Sequence, residues 1–448
     1  MKPSLLSLPL ATLLTCCAAQ AQTTWIVDAA IGPGTNFTDL PRAIASAADG
    51  DIVRVRPGTY SWVNLSKGLR ILGSGSGTTI LQGPGRFSIG RTRATQTIWL
   101  EGLRLRPIAS DTTPSSMVAI EDAAGAVVMR DLRIEQSGLL SATYVPETPL
   151  VIARCANVHV SDFAASGSVS ALFGADQAGR PGVDAEDCFL EMHRCQVRGR
   201  DGLAGLVAPQ PGGAGLRMRR SHAVLVDSSF IGGGGGIHCW SGTGPGPGGP
   251  GIEAHEGAEI IIYGRTQPRR GAVAGGVASP LACFGSFRYG PGGPGIALDA
   301  SRARFEGLAP VGGMSQLSWG PPAVLTNGSS IDIDFAALPP IASIVGTPSP
   351  GSRVTLRLEA APSSTAFLVL ALEHRYLPLA PAAIGSLLVA TTPSALLGPT
   401  TLAGTTWDLP IDLVAGWPLD LPILAQFLVI EPSRVYASNA TALLVRSP

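Results

Sequence analysis

Five side chains able to act as acids or bases recur along the middle of the chain: His159, Glu191, His193, Asp227 and Tyr263. If the segments that carry them stack in register, His159 falls beside Glu191 and His193 beside Asp227, with Ser161 and Tyr263 flanking. A His–carboxylate pair fixes the imidazole tautomer and raises its basicity. Joined to a tyrosine hydroxyl, such a pair can take a proton from carbon. Arg130, in the same alignment, would neutralise a substrate carboxylate through paired N–H bonds. This assigns His193, Asp227 and Tyr263 to catalysis, and Arg130, His159, Ser161 and Glu191 to binding. A plainer reading stands beside it. Solvent-facing positions are polar by default, and opposite charges paired across strands stabilise a sheet.

The elements that would position these residues come from an internal repeat. A unit of two apolar residues at i and i+2 recurs as Leu69/Ile71, Ile98/Leu100, Val127/Met129, Val158/Val160, Leu190/Met192, Val224/Val226, Ile260/Ile262, Ala303/Phe305 and Ile331/Ile333. Such units are too short for helices and alternate with period two, so they predict strands with one buried face. One strand cannot bury that face alone. Equivalent strands stacked about 4.8 Å apart bury it continuously and pair each backbone with the next. The residues between the inward pairs then form two outward columns. One holds Trp99, Val128, His159, Glu191, Leu225, Ile261 and Arg304. The other holds Glu101, Arg130, Ser161, His193, Asp227, Tyr263 and Glu306.

Pro211-Gly212-Gly213-Ala214-Gly215, Pro247-Gly248-Gly249-Pro250-Gly251 and Pro291-Gly292-Gly293-Pro294-Gly295 each precede a strand-like segment. Glycine-rich stretches suit tight corners, where positive φ is often needed. The stretches 232–236 and 242–251 read as long loops flanking a groove. No Gly-Lys-Ser/Thr follows them, so they are not phosphate loops. Cys239 and Cys283 each lie eight residues before one of these prolines, so a Cys239–Cys283 disulfide is expected. Cys155 and Cys188 stand just before their strands and form a second candidate bridge, which leaves Cys195 as a buried free thiol.

The chain has 448 residues, Lys+Arg equal to Asp+Glu, and 45% hydrophobic residues. That excludes disorder by composition and gives no whole-chain electrostatic footprint for nucleic acid. Lys2, the apolar run from Leu5 to Leu14 and Ala19-Gln20-Ala21 have the order of a secretory signal peptide, residues 1–21, cleaved near Ala21. A lipoprotein reading through Cys16 or Cys17 lacks the small residue that should precede the cysteine. No later stretch reads as a transmembrane helix, Leu421 to Ile430 being short and interrupted by Pro422 and Gln426. The expected location is secreted or cell-surface, and disulfides are chemically permitted there.

Phe37-Thr38-Asp39-Leu40, the helical Ala43-Ile44 stretch, and Asp49-Gly50-Asp51-Ile52-Val53-Arg54-Val55-Arg56-Pro57-Gly58-Thr59-Tyr60 together resemble the opening of the pectin-lyase-like right-handed parallel β-helix superfamily. The resemblance implies a solenoid with an N-terminal helical cap over residues 22–340. It also implies an extracellular polysaccharide as partner, through binding alone or through a polysaccharide lyase or glycoside hydrolase activity on an acidic glycan. The paired-aspartate and G-H-G pattern of the hydrolases of this fold is absent. So is the calcium-binding aspartate set with a catalytic arginine of the pectate lyases. No catalytic residue therefore carries over from either. Trp240 and Tyr289, on glycine-rich loops, are candidates for stacking on sugar rings, with local loop packing as the plainer role. The run Asp184, Glu186 and Asp187 is a candidate for Ca²⁺, or else a solvated turn. His222, His238 and His255 are scattered and would need loop convergence to bind a metal.

Proline and serine in 341–352 mark a linker. Residues 353–448 carry short apolar strands and predict a β-sandwich. Trp407-Asp408-Leu409-Pro410-Ile411 and Gly416-Trp417-Pro418-Leu419, followed by Gln426, resemble a C-terminal domain of secreted proteins of planctomycete-like bacteria. That resemblance implies surface retention or sorting. A lid over the open end of the solenoid is the alternative. The whole is expected to be an all-β monomer.

Overall fold

The computed structural model describes residues 23–444 apart from 109–115, 136–147, 167–177, 203–209, 237–245, 265–272, 277–280, 284–285, 289, 316–318, 335–339, 372–373, 379–385, 390–393, 414–421, 432–433 and 439–440. The chain divides into two units, Gln22–Asp334 and Phe335–Pro448. Both are almost entirely β, with one helix among the described residues. No helix there is long and apolar enough to cross a membrane.

That helix, Leu40–Ser46, begins where the sequence dictates. Asp39 caps it by accepting the Arg42 N–H, proline stands in its first turn, and Leu40, Ala43 and Ile44 turn inward. Gly50 after it has φ +89°, a left-handed turn that glycine makes without strain. Asp51 then gathers the Thr23 and Ala48 amides and the Trp25 indole N–H, which ties the first strand, Thr24–Val27, to the second, Ile52–Val55.

Most of the first unit is two long parallel sheets, of 17 and 8 described strands, beside a short antiparallel pair, Leu281–Cys283 with Ser286–Arg288. In the larger one, Ile98, Val127, Val158, Leu190, Ala223, Ile260, Ala303 and Ile331 occupy successive register positions. Partners in adjacent strands lie about 30 to 40 residues apart in the chain. This arrangement is compatible with a β-helix. The inward pairs fall in one apolar core that also takes Val118, Ile120, Leu150, Ile152, Leu216 and Met218 from the smaller sheet. Two pairs depart from expectation: Ile331 is only partly buried against the core and Ile333 is 39% exposed, and the 224/226 pair is out of phase. Ala223 and Leu225 face the core instead of Val224 and Val226. All four residues of that run are apolar, so both phases of the alternation satisfy the pattern. A shift of one residue exchanges the faces.

Few of the corners are built from glycine, Gly102 and Gly307 being left-handed where Asp131, Asp162, Arg194 and Asp227 stand in other repeats. Asp122, Arg154, Asp187, Arg220 and Glu256, at equivalent ends of successive strands, all have φ between 46° and 58°. Left-handed backbone is disfavoured for such residues. Alternating charge offsets that cost, since Arg154 pairs with Asp122, and Arg220 with both Asp187 and Glu256.

Glycine instead forms a seam. Gly213 donates its N–H to Arg200, Gly233 to Gly213, Gly249 to Gly233, Gly276 to Gly249, Gly293 to Gly276 and Gly313 to Gly293, at 2.7–3.0 Å. The bonds pass back and forth between segments that follow one set of strands and segments that precede the other. None of these glycines is left-handed. A Cβ on Gly213, Gly233 or Gly276 would stand 1.9–2.1 Å from a neighbouring carbonyl oxygen. The Pro-Gly-Gly segments and 232–236 are therefore backbone packed directly on backbone, where an apolar core would need side chains. They are not corner turns or open loops.

Cys155, Cys188 and Cys195 are buried free thiols, so the Cys155–Cys188 bridge is not formed. The two occupy equivalent slots beside the corner. Each thiol faces its own acceptors, Cys155 the Ile120 and Ala153 carbonyls and Cys188 the Ser221 hydroxyl. Ser221 fills the next slot and donates its hydroxyl to Arg219 O. The position calls for a small inward donor, not a bridge. Cys239 and the side chain of Cys283 lie outside the described residues. Burial pushes the Cys155 thiol up to about 11 and those of Cys188 and Cys195 up to about 12. These three thiols should resist alkylation in the native protein and react on denaturation. Peptide mapping checks this, and a recovered Cys155–Cys188 cross-link would contradict it.

The second unit is antiparallel. Ile341–Val345, Arg353–Glu359 and Thr406–Asp412 form one sheet, and Thr365–Ala371, Ser394–Thr401, Pro422–Glu431, Arg434–Ala437 and Thr441–Leu444 another. Both contribute to one core around Leu356, Leu368 and Phe427. The segment 341–352 is thus not all linker. Ile341–Val345 is a strand because its apolar residues pair with Arg353–Glu359 across the turn at Gly351, φ +80°. Gln426 is fully buried and donates its amide to Ser438 O, which accounts for a polar residue inside an apolar strand. Residues 416–419 lie outside the described residues.

Candidate functional site

Glu191 and His193 are two apart on strand Phe189–His193 and so point to one face. His159, on the neighbouring strand Asn157–Ser161, stands directly opposite Glu191 in register. The three side chains meet. Glu191 Oε2 is 3.0 Å from His159 Nδ1, and Glu191 Oε1 bonds His193 Nε2. The two rings lie 5.1 Å apart between centroids. With the carboxylate as acceptor, each imidazole turns an N–H toward it.

This face is buried, although it lies away from the apolar core. Glu191 is 1% and His193 2% exposed, and Glu101, Ser161, Tyr263 and Glu306 are buried as well. Burial alone would raise the Glu191 pKa. The two imidazoles, by charge and hydrogen bonding, reverse this and hold it well below the usual carboxylate range. Burial lowers the pKa of His193, against the pull of Glu191. The centre is an ionised carboxylate held between two imidazoles, with Val128, Val224 and Val226 at neighbouring register positions.

The remaining expected site residues disperse. Ser161 stands in register with His193 on one side and Arg130 on the other. Arg130 lies 4.0 Å from Glu101 in an ion pair. The register shift at 223–226 puts Val226, not Asp227, beside His193. Asp227 moves to a corner with φ 45°. Tyr263 pairs in register with Val226 and so lies two strands from His193, about 10 Å away. A catalytic set of His193, Asp227 and Tyr263 does not assemble, and a polymer has no access to a histidine this buried. Trp240, Tyr289 and His238 lie outside the described residues. His222 and His255 pair with separate carboxylates, Glu259 and Glu253. Asp184 is paired to Arg217, and Glu186 and Asp187 to Arg220, so arginine takes the oxygens that Ca²⁺ would need.

An open feature was not expected from the sequence. A cleft of about 670 Å³ runs over the short parallel strands Ala164–Ser166, Gln196–Arg198 and Ser229–Ile231 and the end of Ala126–Ile134. Its walls carry Arg133, Arg194, Arg198, Glu135, Gln196, Asp227 and Ser229. Glu135 is already held by Arg104 and Arg106. Arg194 makes a two-pronged pair with Asp162. Arg133 is exposed and has no ion-pair partner among the described residues. Arg198 pairs with Asp201, so the three wall arginines outnumber the two wall carboxylates, Glu135 and Asp227, by one, and Arg133 supplies that uncompensated charge. Its signal in the sequence is arginine recurring just after the apolar pair, at 104, 106, 133 and 198. The chain matches no known protein family and no curated protein.

Proposed function

We propose that residues 22–334 wind as a right-handed parallel β-helix and that the protein acts outside the cell by holding an acidic polysaccharide in the arginine-lined cleft. The cleft carries this reading. Its floor is a run of parallel strands whose outward side chains recur about every 4.8 Å. Arg133 offers a planar N–H fork matched to a uronate or sulfate group, Arg198 offers the N–H groups not used by Asp201, and Gln196 and Ser229 add neutral hydrogen-bonding groups for hydroxyls. The signal-like N-terminus supports export, and the repeated parallel register supports the winding. Buried Glu191 and His193 take no direct part in glycan contact.

The test is calorimetric titration of the mature protein with uronate-containing, sulfated and neutral oligosaccharides. Acidic ligands are expected to bind and neutral ones not. Arg133→Ala and Arg198→Ala should each weaken binding about tenfold, the worth of one charged hydrogen bond. Undiminished affinity in the double variant, or equal binding of neutral glycans, would sink the reading.

A further inference from the structure

We propose that His159, Glu191 and His193 form a binding site for one divalent transition-metal ion of the zinc class. Among the described residues, this is the one group of three His, Cys, Asp or Glu residues whose donor atoms, one from each, all lie within 4.8 Å of one another. The backbone sets the triangle. Glu191 and His193 share a face by strand period, and His159 is fixed opposite Glu191 by the parallel ladder. Zinc–nitrogen and zinc–oxygen bonds are about 2.0–2.2 Å, so tetrahedral donors sit roughly 3.4 Å apart. The three donors already lie within 4.8 Å of one another, close enough for side-chain shifts to bring them to that spacing.

The surroundings separate this centre from the other carboxylates on the same face. Glu101 lies against Arg130, and Glu306 against Arg304. Among the described residues no arginine or lysine comes within ion-pair distance of Glu191, whose partners are two imidazoles. Valines at 128, 224 and 226 adjoin these residues in the sheet and leave no competing cation there. Two imidazoles and one carboxylate suit Zn²⁺ or Co²⁺ and not Ca²⁺, which takes six or more oxygens. Three protein ligands leave a fourth position for water. The His159 side chain is 13% exposed, which gives an ion an approach from its side. On binding, each imidazole turns a lone pair, instead of an N–H, toward the centre. The site is independent of the cleft, so glycan binding and metal binding can fail separately.

The experiment strips the full mature chain with chelator, desalts it and titrates it with Co²⁺, then Zn²⁺. One Co²⁺ per chain is expected, with the visible absorption of a low-coordinate site that Zn²⁺ abolishes. Glu191→Gln and His159→Asn should each weaken Co²⁺ binding about 100-fold or more, beyond the loss typical of outer-shell changes. His222→Ala and His255→Ala should leave it unchanged. His159 is at the partly exposed edge, so its variant gives a reading even where Glu191→Gln fails to fold. A folded wild-type chain with no stoichiometric Co²⁺ spectrum overturns the proposal. So does a spectrum that survives His159→Asn.

Discussion

Replacing Gly233 by alanine is expected to destabilise residues 22–334 by about 3 kcal/mol, near the upper end of the usual cost of overpacking a tight interior. The added methyl would stand 1.9 Å from the Arg200 carbonyl oxygen and 2.3 Å from its carbon. Both are backbone atoms and cannot rotate aside. Moving them would break the Gly213–Arg200 and Gly233–Gly213 bonds on either side, and the next segments stack on these. The effect should appear as a fall in Tm of about 5 °C for this unit. Gly77 is the control, because nothing lies within 4 Å of its would-be Cβ and its φ is not left-handed. Alanine there should be neutral or slightly stabilising, since it restricts the unfolded chain. A Gly233→Ala protein within about 0.5 kcal/mol of wild type would mean that the seam yields, and that glycine is not required by contact.

The parallel ladder was legible wherever inward residues were apolar and their neighbours polar. Val158, His159 and Val160 admit one phase, and the structure adopts it. Ala223 to Val226 admit two, and only the neighbouring strand decides between them. That one ambiguous run separated Asp227 from His193 and dissolved the expected catalytic set, while His159 and Glu191, on unambiguous strands, met as expected. The glycine segments were visible but their use was not, because a corner and a close backbone approach both select glycine. Most corners went to Asp, Arg or Glu, whose left-handed backbone is offset by charges about 33 residues along the chain. Burial of the second face was hidden too, since alternation reports which residues share a side and not what covers it. The arginine cleft depends on residues after the apolar pair, where no periodicity constrains the sequence.

Removing His193 should have the largest effect of any single side chain in the centre. His193→Ala leaves the Glu191 carboxylate with one donor at a position 1% exposed, with no cation to replace the other. Breaking a buried charged pair from one side costs about 3–5 kcal/mol, because the remaining charge loses both water and partner. Glu191→Gln keeps the volume and one acceptor, and should cost only about 1–3 kcal/mol. Replacing both residues with apolar ones of similar size should cost less than the sum of the single losses, since no stranded charge remains. His222 is the comparison. Its side chain is 60% exposed beside Glu259, and its removal should cost under about 1 kcal/mol. The wild type and all four variants should be unfolded in denaturant with chelator present, because a bound ion would add stability to the wild type and His222→Ala and not to the others. If His193→Ala proves no more costly than His222→Ala, the carboxylate must reach water or another donor once the ring is gone. Glu191 would then not depend on His193 for its charge, and the two-imidazole centre would be an incidental contact between neighbouring strands.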